Sequence, residues 1–325
     1  MPDASIAATR LILNPLSFRM SRGRRHDRLG ACARALGFEV IETTSEQDLK
    51  SAIQAIVDQP PERLIVCAGD GTVQALITAM ADLDQSNRPD LLLLGGGRTN
   101  YTARDLGTHS APERLLARSA DPNSYWRRST RHSLILRQKG QPDRHGFFVA
   151  GALLDDIIRD CHRYRQEHRT SRLAWLRTGH ASSAWRVAQL AIQRLLGRHS
   201  FNAHPMSIDA EGLDSLQGDL KLVLMTTLEH RGQTLNPYAE RGQGTLRLTA
   251  MRANADGFWR HLPRLLRGRY HAAMTPSQGF LSGRCTSATI NGLQQVSLDG
   301  QEHDYRADRE LQVLTGPAFH FIHPS

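Results

Sequence analysis

RLIVCAGDGTVQALITAM, residues 63–80, is an apolar strand that runs through Ala68-Gly69-Asp70-Gly71-Thr72 straight into a helix. A strand, a glycine turn and a helix N-terminus make a phosphate cradle. Gly69 and Gly71 admit positive φ and close backbone approach to an anion, which the helix dipole and its first N–H groups attract. Alone, such an Asp-Gly turn is also an ordinary tight connection. DLLLLGGG, residues 90–97, repeats the design, and Arg98-Thr99-Asn100-Tyr101-Thr102-Ala103-Arg104-Asp105-Leu106 then opens a helix. A third apolar segment, residues 10–13, ends in Asn14-Pro15 and is followed by Ser17, Arg19, Ser21 and Arg22. Three such loops at the carboxyl edge of one parallel sheet form the crevice where open α/β sheets hold ligands.

The periodicity around these loops predicts strands at 11–14, 39–43, 64–68 and 91–95, alternating with helices at 25–36, 45–57, 73–81 and 99–106. That alternation is an open parallel α/β domain covering residues 1–127. Beyond it the pattern changes to separate β segments at 133–137, 146–150, 220–227, 245–250, 286–291 and 295–298, with a helical insert over 155–198. A β-sandwich-like second domain, residues 128–325, is expected, with residues 311–322 returning to the first.

NPLS after the first strand, AGDGT after the third and GGGRTNYTARDLG after the fourth resemble the diacylglycerol kinase catalytic family, which includes sphingosine and ceramide kinases. Its pattern reads NPxSG, GGDGT, PxGTxNxxAxxLG and a late DGE. Here Ser297-Leu298-Asp299-Gly300-Gln301-Glu302 stands at the last position. FFVAGALLDD, residues 147–156, and GQTLNPYAERGQGTLRL, residues 232–248, are similar to the family's intervening segments, so the resemblance covers nearly the whole chain. It implies an ATP- and Mg²⁺-dependent lipid kinase, with a nucleotide-binding first domain and a lipid-binding second one. By resemblance Asn14, Ser17, Gly69, Gly71, Thr72, Gly97, Thr99 and Asn100 line the nucleotide phosphates, with Arg19 and Arg22 as nearby counter-charges. Asp70 and Asp299 are the catalytic carboxylates, one to take the hydroxyl proton and the other to help hold Mg²⁺ or the acceptor.

The chain departs from the pattern at Ala68, at Phe18 and at Gly97-Arg98-Thr99. More consequential is Gln301 where the family has the glutamate of DGE, because a neutral amide neither takes a proton nor holds a cation as a carboxylate does. Glu302 is adjacent, but in a strand it faces the other way. Gln243 stands where the family carries an aspartate that helps bind a structural Mg²⁺, so that metal site is not expected.

Composition sets further bounds. The chain has 325 residues, 40% hydrophobic and 22% charged, which suits two globular domains with ordinary cores. The four cysteines, Cys32, Cys67, Cys161 and Cys285, form no CxxC pair and read as reduced thiols in a cytoplasmic protein. The 15 histidines include no HExxH or similar ligand spacing. No apolar run is long enough for a membrane span.

Residues 1–127 hold 15 Lys+Arg and 15 Asp+Glu, so the whole net charge of +9 belongs to residues 128–325. Residues 155–198 carry nine arginines against four acids, beside a helical stripe containing Trp185, and residues 258–270 make a second basic, Trp-bearing piece. Such helices are either solvated faces or adsorb to anionic bilayers. The family resemblance implies a lipid alcohol substrate and so favours the second use: an anionic membrane surface and peripheral attachment to the inner face of the membrane are expected, and no nucleic acid, since no nucleic-acid-binding motif is present. Whether the chain is a monomer or a homodimer is not written in the sequence. Two other readings stand beside the lipid kinase. One is an NAD-kinase-like enzyme, which shares GGDGT. The other is a diverged, catalytically weak lipid-binding or regulatory homologue, suggested by Gln301 and Gln243.

Overall fold

A computed structural model describes residues 9–21, 23–97, 100–106, 108, 110–121, 124–167, 204–229, 236–255, 258–265, 267–270 and 274–324. The first part alternates β1 (Thr9–Leu13), α1 (Arg25–Ala35), β2 (Glu39–Glu42), α2 (Glu46–Asp58), β3 (Arg63–Ala68), α3 (Asp70–Met80), β4 (Asp90–Gly95), α4 (Tyr101–Asp105) and α5 (Pro112–Ala120). Strands β2, β1, β3 and β4 pair in parallel in that order. LIVCA in β3 and LLLL in β4 are buried throughout, as strands covered on both faces must be. One face packs against α2 and α3 through Ile56, Leu76, Ile77 and Met80, the other against α1 and α5 through Leu29, Ala33, Leu115 and Leu116. Local signals place α2: Ser45 accepts from the Asp48 N–H while the Asp48 carboxylate accepts from the Ser45 N–H, a capping box. Helix α5 was not expected from the sequence; Pro112 opens it.

The rest is largely antiparallel: β5 (Trp126–Arg137), β6 (Arg144–Gly146), β7 (Phe148–Ala152), α6 (Leu153–Glu167), β8 (His204–Ala210), β9 (Ser215–Thr226), β10 (Leu246–Arg252), α7 (Phe258–Leu265), β11 (Phe280–Cys285), β12 (Ser287–Asn291), β13 (Gln295–Leu298), β14 (Gln301–Asp304) and β15 (Leu311–Pro324). Of the expected helical insert, the described residues contain α6; residues 168–203 lie outside them. Residue 127 falls inside β5 rather than in a linker.

All the described strands form one mixed, branched sheet, running β14-β13-β7-β9-β8-β12-β15-β4-β3-β1-β2 along its main path. The expected return of the C-terminal segment is present. β15 pairs antiparallel with β12 and β5 and meets β4 in parallel at Phe321 and Leu91. Phe147 and Phe321 meet edge-on, their centroids 5.8 Å apart, within a cluster that also holds Val73, Leu76 and Ile77 of α3. Helix α3 is latched to β6 as well. Gln74 Nε2 and Thr78 Oγ1 donate to the His145 carbonyl at 3.2 and 3.0 Å, and the His145 N–H donates back to Thr78 Oγ1 at 3.2 Å. The helix that starts at Asp70 is thereby held against the strand that leads to Phe147.

Candidate active site

Three of the loops expected to converge do so through their own hydrogen bonds. Asn14, just past β1, donates its N–H to the Cys67 carbonyl at 3.1 Å, accepts the Leu16 N–H on Oδ1 at 2.9 Å and reaches Thr72 Oγ1 from Nδ2 at 3.4 Å. Ser17 Oγ donates to the Asn14 carbonyl at 2.8 Å. Arg19 donates its N–H to the Gly96 carbonyl at 2.9 Å, and its guanidinium lies 3.5 Å from the Gly95 carbonyl. Asn14, Ser17, Arg19, Gly69, Thr72 and Gly97 thus come together where the three loops meet. Thr99 and Arg22 lie outside the described residues.

The glycines work differently from the sequence expectation. Gly69 has φ −85°, and neither it nor Gly71 is among the positive-φ glycines, so left-handed backbone does not explain them; a Cβ on Gly69 would make only an ordinary contact, 3.6 Å from Gly97 Cα, and the tight clearance lies at Gly96 and Gly97. A Cβ on Gly97 would sit 2.7 Å from Gly69 Cα, and one on Gly96 2.9 Å from the Ala68 nitrogen. The two loops approach backbone to backbone, which leaves no room for side chains between them. A Cβ on Gly71 would meet Gln301 Nε2 at 2.5 Å, a side-chain end that can move. Gly97→Ala should therefore part the loops, an overpacking cost of about 1–3 kcal/mol, and raise the KM for nucleotide. Gly71→Ala should be much milder, and steady-state kinetics of the two variants checks the order.

Asn100 shapes the loop. It adopts φ +46°, is buried, accepts the Gly97 N–H on Oδ1 at 2.7 Å and donates from Nδ2 to the Gly97 carbonyl at 3.1 Å. The amide closes a ring on its own loop, which asparagine tolerates in left-handed backbone better than most residues.

The carboxylates come from opposite ends of the chain. Asp70 is the first residue of α3, where a negative charge is favoured by the helix dipole. Asp299 and Gly300, with φ +49° and +80°, form the two-residue turn between β13 and β14, a conformation that suits Asp-Gly. The turn is not a bare surface hairpin. The Asp299 carboxylate accepts the Phe147 N–H at 3.0 Å and the Phe148 N–H at 2.9 Å, and its own N–H donates to the Phe148 carbonyl at 2.8 Å. Gly146 makes room, since a Cβ there would fall 2.6 Å from Asp299 Oδ2. Burial, then the charge of Asp70, pushes the Asp299 carboxyl up to about 8, against the pull of the two amides.

Gln301 spans the two halves, with its carboxamide against Gly71. Glu302 does face the other way: its Oε2 lies 3.4 Å from Arg159 Nη1. Several participants were invisible in the sequence. The Phe147 and Phe148 amides and the clearance at Gly146 carry no residue signature. Among the described residues, no group of three or more His, Cys, Asp or Glu could hold a metal ion.

No curated protein matches the chain in sequence. The crystal structure of a diacylglycerol kinase from Bacillus anthracis str. Sterne superposes with a TM-score of 0.60 at 15% identity, covering 96% of this chain and 95% of that one. A second structure from the same strain gives 0.64 at 17% identity, with 96% of each chain covered. At such identities the likeness speaks for the fold, which is shared over nearly the full length. The three loops fall inside residues 8–124, the stretch of this chain that matches the family described as the diacylglycerol kinase catalytic domain.

Proposed function

We propose that the chain transfers the γ-phosphoryl group of ATP to the primary hydroxyl of an amphiphilic lipid, namely diacylglycerol, ceramide or a sphingoid base. In this reading residues 1–127 form the nucleotide-binding domain and residues 128–325 a β-sandwich-like lipid-binding domain. The observation that carries it is the seating of the 299–301 turn on the glycine loop at 69–71, with Asp299 close enough to Asp70 for their charges to couple. Phosphoryl transfer asks mainly for positioning and charge stabilisation, which such a meeting supplies.

The crevice suits a nucleotide phosphate, because its loops touch at glycines where a Cβ would intrude and Arg19 stands beside them. Asn14, Ser17, Gly69, Gly71, Thr72 and Gly97 would surround the phosphates, with Asn100 holding the third loop. Mg²⁺ would be held by Asp70, and it would neutralise phosphate charge. Asp299 takes the hydroxyl proton, since a carboxyl raised toward neutral pH is a stronger base than an ordinary one. Gln301 adds hydrogen-bonding capacity without a third negative charge. That same amide favours a second reading, a lipid-binding homologue without turnover. Transfer of label from ATP to a panel of lipid alcohols in mixed micelles, with NAD as a further acceptor, decides between them. Labelled lipid supports the proposal, and labelled NAD or no product overturns it.

The basic second half gives the proposal a membrane side. No described helix is long and apolar enough to cross a membrane. Arg264, Arg267 and Arg269 are exposed, while Arg186, Arg194 and Arg198 lie outside the described residues. Each basic group near an anionic surface is worth about 1 kcal/mol, screened over about 8 Å at physiological salt. Replacing Arg264, Arg267 and Arg269 with Gln should weaken cosedimentation with phosphatidylglycerol vesicles and slow turnover of vesicle-borne lipid. Turnover of a short-chain soluble lipid should be spared. Binding indifferent to salt and to the substitutions would make these arginines a solvated face.

A further inference from the structure

Behind the turn that carries Asp299, Arg159 and Asp155 together tie helix α6 to both strands of the hairpin. Arg159 of α6 donates from Nε to Asp155 Oδ2 at 2.6 Å and from Nη2 to the His303 carbonyl at 3.1 Å. Its Nη2 also lies 3.1 Å from Asp304 Oδ1, and its Nη1 3.4 Å from Glu302 Oε2. Asp155, 1% exposed, spends its other oxygen on Ser297, whose Oγ donates at 2.6 Å. Ser297 stands on β13 two residues before Asp299, and Glu302, His303 and Asp304 follow Gln301 on β14. Helix α6 therefore grips both strands of the hairpin from the face opposite Gln301.

The outer strand needs such a grip. β13 is paired with β7, but among the described strands β14 pairs only with β13, and its sequence QEHD has no apolar side chain to bury. An exposed ion pair would add little, but the Arg159 side chain is 15% exposed and meets a buried carboxylate and a main-chain carbonyl together.

We propose that Arg159 is a positioning residue for phosphoryl transfer: it fixes the β13–β14 hairpin so that Asp299 and Gln301 face the glycine loop at 69–71. The proposal rests on the lipid-kinase reading given above. A misplacement of about 1 Å in a reacting group can lower a rate by about 10²-fold. Arg159 touches neither nucleotide loop, so the effect should appear in kcat and leave the KM for ATP alone.

The test measures kcat, the KM for ATP and backbone hydrogen exchange of residues 295–304 in the full chain. Arg159→Gln strips a buried carboxylate of its partner and risks unfolding. The double variant Asp155→Asn/Arg159→Gln removes both charges and keeps the test sound, and Arg159→Lys keeps the charge with fewer contacts. Expected for the double variant is a kcat lower by about 10- to 100-fold, an unchanged KM for ATP and faster exchange confined to the hairpin, with partial recovery in Arg159→Lys. An unchanged kcat, or slower catalysis without faster exchange in the hairpin, overturns it. A wild-type chain that transfers no phosphate to any lipid defeats the kinase reading instead, and exchange in the hairpin still reports whether Arg159 holds it.

Discussion

Asp70→Asn is expected to abolish phosphoryl transfer while the protein stays folded. The substitution preserves size and removes the charge that the glycine loop presents at the start of α3. In the proposed reading that charge would hold the cation that neutralises the phosphate, and losing one such electrostatic group costs about 10²–10³ in rate. Losing an acid from the first turn of a helix costs only about 0.3–1 kcal/mol, so the melting temperature should move little. Removing Asp70 also removes one of the two influences that hold the Asp299 carboxyl high, which should therefore titrate lower in the variant. Near-normal turnover with unchanged stability would reduce Asp70 to a turn residue.

Asp299→Asn is expected to be inactive yet more stable than the parent at pH 8. A carboxyl raised to about 8 in the folded state ionises near pH 4 once unfolded. Its favourable contribution is therefore complete below pH 4 and is lost as the pH rises through about 8. Wild-type stability should decline across that window, and the Asn variant should lack this part of the decline. The gap between the two widens from pH 4 to pH 8 and then levels off, reaching about 1–3 kcal/mol once the solvent on the open side of the turn is allowed for. Denaturant melts at three pH values measure it. For activity the sign is opposite: a base that must be ionised makes wild-type kcat/KM climb through about pH 8. An Asn variant that is less stable at pH 8 than at pH 5, relative to wild type, would contradict the buried-acid account.

The parallel half was legible because its signals are local. Apolar runs such as LIVCA and LLLL bounded by glycines can hardly be anything but buried strands, and Ser45 with Asp48 announces a helix start. The second half was read less completely, because several of its strands exist through their neighbours. The first residues of β5, WRRSTRH, have no apolar alternation and become strand by pairing with residues 318–324 of β15. β14 forms because a left-handed Asp-Gly turn folds it onto β13 and Arg159 holds it there. Such tertiary pairing leaves little trace in a single sequence. β8, HPMSIDA, is different: Met206, Ile208 and Ala210 alternate with polar residues and are buried, a local strand signal that the sequence reading passed over.

At the site, residue types could be read but their division of labour could not. Asp70 and Asp299 were named from their motifs, and the charge of Asp70 helps hold the Asp299 carboxyl high. That Asn100 spends its amide on Gly97, that Gly97 is required for clearance against Gly69, and that main-chain amides of Phe147 and Phe148 seat Asp299 all depend on distances between segments far apart in the chain. The substitution of Gln301 was visible as a lost charge, and its lodging on Gly71 was not.

The placement of β15 between β4 and β12 has a consequence for biogenesis. During synthesis β4 emerges more than two hundred residues before the strand that covers its free edge. Until residues 311–324 arrive, a buried-type strand reading LLLL offers unpaired backbone to any other chain, the situation that favours edge-to-edge aggregation. Residues 8–124 expressed alone would carry that open edge permanently. Such a fragment should be recovered mainly as aggregate, and a peptide spanning 311–324 supplied in trans should compete for the edge and raise its soluble yield.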